Sequence, residues 1–353
     1  MSESVSKKKK WWKENWHRIL GTGGITAIVI PLLVVFINNH GTTNPTEPST
    51  HPAQTTVEQT EQDNDGIKPK TYNLNYRRAE IQEEQLNYIE ALELYLQAAE
   101  DYSEENNLDR AVALNSAGRM HYKLAQYDDA IECYNEAWAI YNAAPEANQV
   151  ELAWIYNRLA NVYIMQGLYE KALNWYYKAL DIREMELGKD HPDTAGTYHN
   201  IAIVYYQQGE YEKALEWFFK ALAIREKVLG KVHPDTATTY YTIATVYMRQ
   251  KEYEKALEWY FKELEIKEKL LGKDHPDIAR VYSRIANAYY GYFEFVDAFM
   301  YYSMALRIFS DKFGPEHPDT KTCLDNLRRV YERSGLPTPL DDWLAAQLDS
   351  TPS

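Results

Sequence analysis

Four His-Pro-Asp tripeptides recur along the chain. "LGKDHPDT" begins at Leu187, "LGKVHPDT" at Leu229, "LGKDHPDI" at Leu271 and a looser "FGPEHPDT" at Phe313, each 42 residues after the last. An imidazole beside a carboxylate is the raw material of a metal site or a catalytic pair. Zinc, however, needs several ligands about 2 Å from one ion, and equivalent histidines on stacked helices stand at least ~10 Å apart. General-base chemistry needs a nucleophile within hydrogen-bond reach, and the connectors supply none consistently. Elsewhere His121 and His199 are isolated, and no glycine-rich phosphate loop or clustered ligand set is present. Cys133 and Cys323, in non-adjacent units, read as two thiols rather than a disulfide. No catalytic, metal or cofactor residue emerges, and the chain reads as a non-enzyme.

The tripeptides fit punctuation better. Proline cannot continue a preceding helix, and Asp193, Asp235, Asp277 and Asp319 are expected to cap the helices that follow. Leu187, Leu229 and Leu271, each followed by glycine, are expected to end the helix before, with the histidines bonding locally. The intervening sequence repeats too. "YNRLANVYIMQGLYEKALNWYYKALDI" from Tyr156 returns as "YHNIAIVYYQQGEYEKALEWFFKALAI" from Tyr198 and "YYTIATVYMRQKEYEKALEWYFKELEI" from Tyr240. "YSRIANAYYGYFEFVDAFMYYSMALRI" follows from Tyr282, "LNSAGRMHYKLAQYDDAIECYNEAWAI" precedes from Leu114, and a half unit, "LDNLRRVYERSG", starts at Leu324. Each unit has two helical periodicities. Tyr156, Leu159, Ala160 and Tyr163 share one face at i, i+3, i+4, i+7. Gly167 ends that helix, and Tyr169, Ala172, Leu173, Tyr176, Ala179 and Leu180 form the inward face of the next.

The pattern aromatic-x2-[Leu/Ile]-Ala-x2-Tyr, then Gly-x-Tyr-x2-Ala-Leu, resembles tetratricopeptide repeats. The 42-residue length and the "LGKDHPD" connector resemble the kinesin-light-chain subclass, although no heptad coiled coil precedes the repeats and a motor-adaptor role is not carried over. An "HPD" also occurs in J-domains, but once and in a different helical context. The resemblance implies an all-α fold, a right-handed superhelical solenoid of antiparallel helix pairs. Five repeats and a half repeat cover 111–335, with a degenerate helical unit at 71–110 and a C-terminal capping segment at 336–353. Such a fold does not itself name a function.

It does imply a concave groove lined by first helices. Its inward columns, carried over residue by residue, give a candidate peptide- or protein-binding set: Asn115, Arg119, Tyr122, Asn157, Asn161, His199, Tyr206, Tyr241, Arg249, Arg280, Asn287 and Tyr290. Those columns hold no Asp or Glu in an acidic chain. The amides suit a peptide backbone and the arginines suit carboxylates, so the expected partner is an extended peptide with acidic or aromatic side chains.

The net charge of −14 is unevenly placed. Lys7, Lys8, Lys9, Lys10, Lys13 and Arg18 face only Glu3 and Glu14 within residues 1–18, a basic N-terminus on an acidic body. That body would repel a phosphate backbone, which argues against nucleic acid. Ile19 to Ile37 carries no charge, and nineteen helical residues span about 28 Å. With Trp11, Trp12 and Trp16 among the preceding lysines, the segment reads as an uncleaved transmembrane signal-anchor helix. Residues 38–70, rich in Thr, Pro, Gln and Asn, read as a disordered tether. The expected localisation is single-pass, with a cytoplasmic N-terminus and extracytoplasmic repeats. The expected function is a non-enzymatic, membrane-tethered interaction scaffold binding a peptide or partner protein. The alternative is a self-associating, homo-oligomeric assembly factor or chaperone-like subunit of a membrane complex.

Overall fold

A computed structural model of the chain describes residues 68–70, 73–102, 107–143 and 149–334. Among the described residues there are 13 helices and no strand. They fall into two compact units that divide between Gly230 and Lys231. The first unit holds α1 (Leu74–Glu84), α2 (Tyr88–Asp101), α3 (Asn107–Lys123), α4 (Tyr127–Asn142), α5 (Gln149–Met165), α6 (Tyr169–Glu186), α7 (Pro192–Gln207) and α8 (Tyr211–Val228). The second holds α9 (Pro234–Arg249), α10 (Tyr253–Leu271), α11 (Pro276–Gly291), α12 (Phe295–Phe313) and α13 (Pro318–Ser334). Within each unit every helix packs against its neighbours in chain order, as in a helical-repeat solenoid.

The expected membrane localisation is corrected. No helix among the described residues is long and apolar enough to cross a membrane. Residues 1–18, 19–37, most of the 38–70 segment and 336–353 lie outside the described residues.

The connectors work as punctuation, by a different atom from the one expected. His191, His233 and His275 are the N-cap residues, proline occupies the first helical position, and the aspartate lies one residue further in. Each imidazole Nδ1 accepts from the aspartate backbone N–H, at 3.1 Å for Asp193, 3.2 Å for Asp235 and 3.1 Å for Asp277, and His317 does the same for Asp319 at 3.2 Å. The aspartates instead put negative charge in the first turn, where the helix dipole favours it. Ahead of each connector, Gly188, Gly230, Gly272 and Gly314 take left-handed φ values of 80–89°, a region glycine enters without a Cβ penalty.

The interior alternates alanines with large aromatics. Ala172, Tyr176 and Ala179 of α6 are fully buried, as are Ala214, Phe218 and Ala221 of α8. Close helix approach follows from the small residues. At Gly118 of α3 the fit is so tight that a Cβ would lie 2.6 Å from the Tyr134 ring of α4. Register between paired helices is set by a hydrogen bond. The Tyr176 hydroxyl donates to Asn161 Oδ1, and Tyr302 donates to Asn287 Oδ1 at 2.5 Å. Tyr260 is hydrogen-bonded to Thr245 at the same place in its repeat. The one repeat with Phe218 in the tyrosine position has Ile203 opposite. The polar partner is present where the hydroxyl is present and absent where it is absent, as burial without an orphaned donor requires.

Candidate peptide-binding surface

In the unit ending at Gly230, the first-helix residues selected from sequence are mostly withdrawn from solvent. Asn115, Asn157 and Asn161 are buried. Asn157 Nδ2 donates to the Ala153 carbonyl at 2.9 Å, while the Oδ1 atoms of Asn115 and Asn157 have no partner among the described residues. Arg119 is buried and donates to the Glu83 carboxylate at 2.8 Å. Tyr206 is buried against Tyr211, with ring centroids 6.0 Å apart, and Tyr122 is half-buried against Tyr127 at the same distance.

His199 is wholly inside, at 0% exposure. Its ring meets Phe218 edge-on at 5.0 Å, and Nδ1 lies 3.5 Å from the Arg225 guanidinium. Burial first, and the arginine charge second, hold its pKa well below the usual histidine range. The expectation that His199 lines the groove is therefore corrected: a neutral imidazole in the core is out of reach of a ligand.

In the unit starting at Lys231 the surface is more open. Asn287 is exposed on α11, with its Oδ1 pinned by Tyr302. Tyr290 is half-buried, edge-on to Phe295 at 5.6 Å and beneath the Arg333 guanidinium at 5.4 Å. Arg249 is exposed at the end of α9. Arg280 is exposed but bridges two carboxylates, Asp277 at 2.6 Å and Asp319 at 3.2 Å. Gly291 belongs to helix packing, since a Cβ there would collide with the Tyr253 ring. Tyr241 is buried beneath the Arg284 guanidinium, 3.9 Å from its ring.

Arg284 leads to a residue the sequence reading passed over. It donates to Glu263 at 3.0 Å, and Lys267 reaches the same oxygen at 3.2 Å. Glu263 is fully buried, and its other oxygen has no partner among the described residues. Desolvation raises its pKa, opposed by Arg284 and Lys267. The signal was visible in the repeat itself, because the equivalent positions are Ala179, Ala221 and Ala305. A carboxylate in a column of alanines needs a cation across the packing interface.

The basic character expected of the groove is thus largely internal. Arg119 answers Glu83, and Arg280 answers Asp277 and Asp319. Of the selected residues, Tyr122, Arg249, Arg280, Asn287 and Tyr290 remain accessible, and the last four share one unit.

Helix pairs of this length, joined by a left-handed turn and locked by alanine and tyrosine columns, match the tetratricopeptide repeat model over residues 70–143, 151–227, 196–260 and 235–295. The chain belongs to the tetratricopeptide repeat family. Solved structures agree with that fold. A substituted form of a Podosopora anserina protein with nearly identical TPR-like repeats, named there as a kinesin light chain, is 23% identical. It aligns over 57% of this chain and 95% of its own, with a TM-score of 0.50. BtubC (BKLC) from P. vanneervenii is 17% identical over 76% of this chain and 95% of its own, TM-score 0.52. A signal-transduction ATPase with numerous domains from Pyrococcus horikoshii, which carries a tetratricopeptide repeat sensor, is 16% identical with a TM-score of 0.62. That match covers 78% of this chain but 41% of the ATPase chain. No curated protein matches the chain. At these identities the likeness is one of fold.

Proposed function

We propose that this tetratricopeptide repeat protein is a non-enzymatic interaction scaffold, and that its first-helix surface takes an extended segment of a partner protein. The observation carrying this reading is Asn287, an exposed amide whose oxygen is held by a buried tyrosine. With Oδ1 occupied, the Nδ2 group is the part left to donate, and a backbone carbonyl of an extended peptide is its natural acceptor. A pre-oriented side chain loses little rotamer entropy on binding, which favours affinity. Tyr290 offers an apolar face beside it and Arg249 a charge at the helix end. Because Arg119 and Arg280 already have carboxylate partners, acidic side chains are not the main feature recognised. Backbone carbonyls and apolar side chains are. The sensor role named for the Pyrococcus ATPase's repeats is in keeping with capture of a ligand by such a surface.

The test uses a random-peptide phage library selected on the full chain. Enriched peptides should rebind wild type and lose binding to N287A and to an R249E/Y290A variant. Equal rebinding to all three would place the binding surface elsewhere.

A further inference from the structure

The turn between the two helices of a repeat places one residue in the left-handed region. Three positions further on lies a residue on the first turn of the second helix. In four repeats these pairs are Ala125/Asp128, Gly167/Glu170, Gly209/Glu212 and Lys251/Glu254, a small or polar residue followed by an acid. The α1–α2 turn departs from the pattern with Leu86 and Ile89, and the α11–α12 turn departs with Phe293 and Val296. Leu86 has φ +63° and Phe293 +62°, a conformation that penalises residues with a bulky side chain. All four side chains stand in solvent: Leu86 is 70% exposed, Ile89 67%, Phe293 77% and Val296 63%. Folding asks for neither feature, and strained, exposed apolar positions point to function.

The α1–α2 hairpin carries the larger patch, since Ile81 and Leu74 are exposed on it as well. Its rim is acidic. Glu84, Glu90 and Glu93 are exposed, whereas Arg77 is paired with Glu80 at 2.9 Å, leaving Arg78 as the hairpin's other cation. A second copy would bring the same acids face to face, and like charges oppose such pairing. The complementary chemistry is a basic, aromatic segment, and this chain contains one. Residues 7–18, "KKKKWWKENWHR", interleave five lysines and an arginine with three tryptophans, and lie outside the described residues.

We infer that residues 7–18 dock on the α1–α2 hairpin of their own chain. The tryptophans cover Leu86 and Ile89, and the lysines meet Glu84, Glu90 and Glu93. Chain connectivity favours this occupant. The described residues begin at Lys68, whose Nζ lies 2.9 Å from Glu80 on α1. The chain therefore leaves the described part at the very hairpin that carries the patch. The 49 residues from Ile19 to Ile67 span at most about 170 Å, and tethering gives the segment a high effective concentration at its site. This surface is distinct from the α11 site, so either can fail alone.

The experiment places a photo-crosslinking amino acid at Trp12 of the full chain and maps the products by peptide mass spectrometry, with isotope-labelled and unlabelled chains mixed. The expected products are within-chain links to residues 81–93. They should be lost in L86G/I89E, which changes only exposed positions, and in the charge reversal K7E/K8E/K9E/K10E. Combining that reversal with E84K/E90K/E93K should restore them. Links between chains, links to residues 290–296 instead, or links unaffected by L86G/I89E would each overturn the inference.

Discussion

Single residues decide which groups the fold can charge. His199 is neutral inside the core, whereas in the unfolded chain it protonates near the ordinary value of about 6.5. Below that pH the unfolded state binds a proton that the folded state refuses, so stability falls as pH drops. Urea titrations from pH 7 downward should show wild type losing stability faster than H199F, by up to about 1.4 kcal/mol per pH unit. Parallel curves would mean that His199 titrates in place. Glu263 has the opposite sign. Its folded pKa is raised, so the folded state holds the proton longer and stability falls as pH rises through the window above the ordinary value near 4.3. R284A leaves the buried carboxylate with Lys267 alone and should cost about 3 kcal/mol. E263A should cost less, because Arg284 lies partly in solvent and can rehydrate. The reverse order in chemical denaturation would contradict this pairing. Neither residue's role was legible from periodicity. A histidine or tyrosine in the groove column reads alike whether it faces the ligand or the core, and burial depends on the neighbouring helix. Glu263 was legible in principle, as the one acid where other repeats carry alanine.

At the scale of the helix, boundaries were readable and the capping atom was not. The 42-residue recurrence of His-Pro-Asp marks where α7, α9, α11 and α13 start, and the glycine ahead of it marks the end of the long second helix before each. The identity of the cap depends on one residue of offset. Proline has no N–H to cap and fits the first helical position, which moves the cap back to histidine and pushes aspartate into the first turn. H233A should therefore destabilise by about 1 kcal/mol in thermal or urea unfolding, while H233N, which retains a side-chain acceptor, should cost much less. A larger loss for the asparagine would reject the imidazole cap. Between helices, the tyrosine-to-asparagine bond sets register, and Y302F should cost about 1 kcal/mol. The converse graft, F218Y with I203N, installs the missing pair and should be milder than I203N alone, which buries an unsatisfied amide. Unfolding midpoints decide between these outcomes.

For the whole molecule, one sequence contained the family and most of the helix plan, because a 42-residue period leaves few alternative ways to bury alanine and tyrosine stripes. Charge was misleading. A groove free of acids looked basic, yet a column drawn along one helix omits partners on another: Glu83 comes to Arg119 from α1, and Asp319 comes to Arg280 from α13. Reversing Arg119 would consequently damage the fold rather than probe binding. The same internal pairing predicts that affinity for a selected peptide varies little between low and high salt, measured by titration calorimetry, because few charges meet across the interface. The most direct measurement is a double-mutant cycle on Asn287 and Tyr302, using the affinity of one library-selected peptide. Tyr302 is buried and acts through the amide it holds, so Y302F should weaken binding on its own yet add nothing in the N287A background. Additive losses, or no loss from either change, would contradict peptide capture by a tyrosine-oriented amide.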